Sequence, residues 1–91
     1  MKNTVEELEA PKASGMAQNI IKRARFLEHT QMRSDEEPEI GIDEENGMIT
    51  IGKYNEHFGN VHHIESVCSV DDVDMDELRD ALDDENIAYV L

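Results

Sequence analysis

Residues 40–52 read IGIDEENGMITIG, and this stretch decides the fold. Ile40, Ile42, Ile49 and Ile51 alternate with Gly41, Asp43, Thr50 and Gly52, the period of two expected of strands with one buried face. Asn46-Gly47 lies between the two runs. That dipeptide supplies the positive φ angles of a type I′ turn at little steric cost, so the stretch is expected to be a tight hairpin. A two-residue turn sets Ile42 opposite Ile51 on the core face.

Upstream of the hairpin, Ser34-Asp35-Glu36-Glu37-Pro38 is polar and ends in a helix breaker. Before it the period changes. Met16, Ala17, Ile20, Ile21, Ala24 and Leu27 recur at helical spacing, which predicts an amphipathic helix over residues 14–33 with Ser14 as its N-cap. Lys22, Arg25, His29 and Arg33 fall on the opposite face as a basic seam. Residues 1–12 are expected to be a flexible segment or one short turn, with Thr4 and Glu7 at capping-box spacing and Pro11 as a stop.

Downstream, Tyr54 to Asn60 reads as a loop or strand edge, and Val61 to Val70 as a third strand containing Ile64, Val67 and Val70. Asp74 and Glu77 have capping-box spacing ahead of a second helix, whose apolar stripe is Met75, Leu78, Ala81 and Leu82. Asn86 is placed to cap its C-terminus, and the apolar residues 87–91 form a short final strand. The order α-β-β-β-α-β defines a single small α+β domain over residues 13–91, an antiparallel hairpin plus one or two further strands with two helices on one face.

Charge is the second informative feature. Residues 1–34 hold six basic and four acidic side chains, a net +2, whereas residues 35–91 hold 18 acidic side chains against Lys53 and Arg79, a net −16. Such a field repels nucleic acid and anionic membranes and attracts basic protein surfaces. It also destabilises a small core that has only four aromatic residues, so the basic helix is expected to dock on the acidic part, or the chain to dimerise.

The acids have a pattern. Asp76, Glu77, Asp80, Asp83 and Asp84 share the face of the second helix opposite its apolar stripe, with Asp72 and Asp74 leading into it. Residues four apart rise about 6 Å, a spacing not far from that of successive phosphates along one strand. Asp43, Glu44 and Glu45 on the hairpin extend this ridge. Acids in a first helical turn favour folding, but those at Asp83, Asp84 and Glu85 crowd the last turn, where each costs roughly 0.3–1 kcal/mol at low salt. The bland reading of such a face is solubility alone. Halophilic adaptation fits less well, because the charge is confined to one part of the chain.

Other chemistry finds little support. Asp72, Asp74, Asp76 and Asp83 have EF-hand-like offsets, but Glu77 stands where the loop needs glycine. His57, His62, His63 and Cys68 match no paired zinc-ligand spacing, and His62 and His63 alternate faces on a strand. There is no glycine-rich phosphate loop and no nucleophile–base arrangement, so the chain is read as no enzyme, without cofactor or metal. A single cysteine, no apolar leader and no run of about 18 apolar residues point to the cytoplasm.

In size and charge the chain is similar to barstar-like immunity proteins and phage-encoded DNA mimics, with no motif matched residue by residue. The expectation is a small cytoplasmic protein, encoded by a phage or mobile element, that inhibits a basic and usually nucleic-acid-binding protein. Its contacts would be Asp76, Asp80, Asp83 and Asp84, with Glu77, Asp72, Asp74, Asp43, Glu44 and Glu45 around them. An antitoxin or immunity protein for a cognate basic toxin is the alternative; in that case Lys22, Arg25 and Arg33 would touch operator DNA or the acidic body. The third reading is an accessory subunit whose acids only keep it soluble.

Overall fold

The computed structural model describes residues 12–91. Its elements are α1 (Lys12–Gln31), β1 (Glu36–Asp43), β2 (Met48–Asn55), β3 (Asn60–Ser69), a 3₁₀ turn (Val70–Asp72), α2 (Met75–Glu85) and β4 (Ala88–Tyr89). The α+β order read from the sequence is the observed one. The expected turn at Thr4, Glu7 and Pro11 lies outside the described residues. Helix α1 begins two residues ahead of Ser14, so Ser14 lies within its first turn rather than capping it. Lys12 and Ala13 are better helix formers than serine and extend the helix toward Pro11.

The four strands run in the order β3-β2-β1-β4. The β1–β2 and β2–β3 pairs are antiparallel, and β4 lies parallel to β1 through Glu39↔Ala88 and Ile40↔Tyr89. The hairpin register differs from the expected one by two residues: Ile40 pairs with Ile51 and Ile42 with Ile49. The cause is the turn. Asp43 pairs with Met48 across a four-residue loop, the Gly47 N–H donates to the Asp43 carbonyl at 2.7 Å, and Gly47 alone there has a positive φ, of 65°. The Asp43 carboxylate accepts from the N–H groups of Glu45 (3.1 Å) and Asn46 (3.4 Å) and from the Asn46 amide (2.8 Å). An aspartate that takes these donors fixes a longer loop and removes the need for a type I′ turn. A shift of two leaves each side chain on its expected face, so the core is unchanged.

The β2–β3 connection repeats the device. Asn55 pairs with Asn60, Gly59 has φ 68° and donates to the Asn55 carbonyl at 2.8 Å, and the Asn55 side chain accepts from the N–H groups of His57 and Phe58. Strand β3 carries two irregularities opposite Ile49–Thr50 and Ile51–Gly52. They explain how Ile64 and Val67, three residues apart, both pack against the core, which strict alternation forbids; Val70, which also packs there, belongs to the 3₁₀ turn and not to the strand.

Both helices pack on the sheet face that bears Ile40, Ile49 and Ile51. Ile20 and Leu27 of α1, Leu78 and Leu82 of α2 and those three isoleucines are fully buried. At about 25 cal/mol per Å² such aliphatic burial is the main favourable contribution in a chain this small. Among the described residues no helix is long and apolar enough to cross a membrane.

Candidate functional site

The topology puts the two ends of the sheet in different electrostatic environments. Strand β1 runs from Glu36 to Asp43, β2 returns to Asn55, β3 runs out again to Ser69, and α2 starts at that same far end. The Val70 N–H donates to the Gly47 carbonyl at 2.9 Å, which ties the β1–β2 loop to the 3₁₀ turn. Glu44 and Glu45 of the loop, Asp71 and Asp72 of the 3₁₀ turn and Asp74, Asp76 and Glu77 at the start of α2 therefore gather at one end.

Helix α2 owes its position to its caps and its stripe. The Asp74 side chain accepts from the N–H groups of Asp76 (2.9 Å) and Glu77 (3.2 Å). At the other end Asn86 adopts the left-handed conformation, φ 62°, and the Ile87 N–H reaches the Leu82 carbonyl at 2.9 Å. Leu78 and Leu82 face the core, which turns Asp76, Asp80, Asp83 and Asp84 to solvent, with Glu77 half-buried beside them. Arg79 is the one cation on this helix, and it is paired with Asp76 at 2.9 Å. Desolvation and then the nearby Asp83 carboxylate raise the pKa of the Tyr89 hydroxyl.

Two of the ten acids expected in the interface also have structural duties. Asp74 is the N-cap, and Asp43 is the acceptor that shapes its loop; hydrogen bonds, the Asn46 amide first, hold the Asp43 carboxyl below its usual range. The other eight, Asp72, Glu44, Glu45, Asp76, Glu77, Asp80, Asp83 and Asp84, lie along the 3₁₀ turn, the loop and α2.

The basic seam is not kept together as a free face. Lys22 is exposed, but Arg25 is half-buried, pairs with Glu28 at 2.9 Å and donates to the Glu85 carbonyl, with the Glu85 carboxylate 3.8 Å away. Arg25 thus neutralises part of the negative end of the α2 dipole. Arg33 lies beyond α1, where its backbone N–H donates to Glu36 at 2.9 Å. Arg23, which sequence reasoning passed over, makes a two-pronged contact with Glu65 at 2.7 and 2.8 Å. That contact raises the Arg23 pKa and lowers that of Glu65. No local spacing signals it, because the partners are 42 residues apart.

The opposite end of the sheet holds a concavity of about 410 Å³ lined by Arg33, Glu36, Lys53, Asn55, Phe58 and His62. It too was not legible as a unit, since its members come from three separate segments. Among the described residues, no group of three or more His, Cys, Asp or Glu side chains is placed to hold a metal ion.

The chain matches no protein-family model, no curated protein and no solved structure.

Proposed function

We propose that this chain is a binding protein that occupies a basic, nucleic-acid-binding surface of another protein, with carboxylates standing where phosphates would. The supporting observation is the outer arc of α2. Asp76, Asp80, Asp83 and Asp84 are exposed there over about 12 Å of helix; among the described residues Asp76 pairs with Arg79 and Arg25 reaches the neighbouring Glu85, while no ion pair engages Asp80, Asp83 or Asp84. Glu44, Glu45 and Asp72 prolong the arc at its N-terminal end. A rigid, capped helix whose charge row is only partly neutralised, by Arg79 and Arg25, loses little entropy on docking and steers a basic partner from a distance.

The last turn supports the same reading. Asp83 and Asp84 oppose the helix dipole, and among the described residues Arg25 at the Glu85 carbonyl is what offsets that arrangement. A purely solubilising surface would gain as much from acids placed in a first turn or on a strand. The experiment is capture from a nuclease-treated lysate on the immobilised full chain, followed by competition with duplex DNA. Retention of one basic protein that duplex DNA displaces supports the proposal. A protein retained with the DNA in excess contradicts it.

A further inference from the structure

We propose that the concavity between the end of α1 and the β2–β3 loop binds a nucleoside monophosphate, its phosphate over Arg33, Lys53 and His62 and its ring against Phe58. This inference is independent of the acidic surface.

The concavity measures about 410 Å³ and lies within the usual range for small-ligand sites. Its charge runs against that of the chain. Lys53 is one of only two basic residues after Ser34, yet it meets Arg33 and His62 in one place. Among the described residues Glu36 is the single carboxylate of the lining, and it is already engaged: it accepts from the Arg33 N–H and lies 3.7 Å from the Lys53 ammonium. The guanidinium, the ammonium and the carboxylate together leave one positive charge, with the His62 ring beside them. That matches one phosphate group.

Phe58 supplies the second part of the recognition. It is 77% exposed and contributes nothing to the core. It is not carried on a slack loop either. Asn55, only 8% exposed, accepts from the N–H groups of His57 and Phe58, and the Gly59 N–H closes the turn on the Asn55 carbonyl. The ring is thus held out beside Arg33, Lys53 and His62, an arrangement suited to stacking a flat heterocycle whose phosphate points inward.

The acidic field decides the size of the occupant. Eight residues of β1 separate this end from the acid-rich end, about 25 Å, against a screening length of about 8 Å at physiological salt. A single nucleotide in the concavity is screened from the ridge. A longer strand would extend over a body of net −16 and be repelled, so the occupant is a mononucleotide rather than a polymer.

The test is an amide chemical-shift titration of the full chain at low salt with adenosine monophosphate, adenosine and inorganic phosphate. Saturable shifts confined to Arg33 and to residues 53–62 are expected with the monophosphate, with each fragment weaker by at least about tenfold. Phe58→Ala should weaken the monophosphate by roughly 5- to 150-fold, the range of ring-stacking losses. Arg33→Ala should weaken both the monophosphate and phosphate. Both positions are exposed, so both variants should keep the parent melting temperature. The proposal is overturned if the monophosphate gives no saturable shifts, if inorganic phosphate binds as well as it does, or if Phe58→Ala binds it like the parent.

Discussion

Asp84→Asn should make the protein more stable, and Asp76→Asn should make it less stable, although both remove one exposed carboxylate from the same helix face. Asp76 stands in the first turn of α2, where the helix dipole favours negative charge, and it also holds Arg79 at 2.9 Å. Asp84 stands in the last turn beside Asp83 and Glu85, where the dipole and both neighbours oppose it. Each dipole contribution is about 0.3–1 kcal/mol at low salt. Arg25 at the Glu85 carbonyl offsets part of the repulsion, so the lower half of that range applies to Asp84. For a domain of this size that corresponds to a rise of about 2–5 °C in Tm for Asp84→Asn and a comparable fall for Asp76→Asn. Thermal melts followed by circular dichroism at low salt read both, and high salt should bring the two variants together. A loss of stability in Asp84→Asn would instead mean that the last-turn acids serve folding and need no functional explanation.

Gly47→Ala and Gly59→Ala should each lower stability by about 1–2 kcal/mol in denaturant titrations, since both glycines have left-handed φ values of 65° and 68° while an added Cβ meets nothing. Gly52→Ala should cost about 1–3 kcal/mol for a different reason: its Cβ would lie 2.7 Å from Val61 Cγ1 and 2.8 Å from the His62 carbonyl oxygen. The Glu65 carboxyl is held below its usual range by hydrogen bonding to Arg23, so the folded chain binds its proton less readily than the unfolded one. The stability it contributes is complete above the ordinary carboxylate range and lost as pH falls through its lowered folded value. Glu65→Gln should therefore be less stable than the parent at neutral pH, with the gap closing in acid. Glu39 has the opposite sign, since burial and then Glu37 raise its pKa. Glu39→Gln should gain stability over the parent at neutral pH and lose that advantage as the pH falls into the carboxylate range.

Local signals carried most of the fold. Alternation around Ile40, Ile42, Ile49 and Ile51 and the caps Asp74 and Asn86 each depend on neighbours within a few residues, and the structure has the hairpin and α2 where those signals put them. The register departs from the one Asn46-Gly47 implies because the Asp43 carboxylate selects the longer loop. The pattern that governs both loops is an Asp or Asn four residues ahead of a glycine, at Asp43–Gly47 and again at Asn55–Gly59. It was readable, and would have set the end of β2. The acidic arc of α2 was legible because an amphipathic helix fixes its own outer face. Nothing local could show that Arg25 would reach Glu85, that Arg23 would reach Glu65, or that Arg33, Lys53, Phe58 and His62 would meet, since those depend on how the sheet folds back under α1.

The most direct measurement compares the full chain with a variant carrying Asp76→Lys, Asp80→Lys, Asp83→Lys and Asp84→Lys, both immobilised and exposed to the same nuclease-treated lysate under a salt gradient. All four positions are exposed, and a melt confirms that the variant is folded. If the charge row is the binding surface, the parent retains one basic protein above physiological salt and the variant does not retain it. Equal retention by both, or only a broad set of basic proteins released from the parent at low salt, would contradict that role.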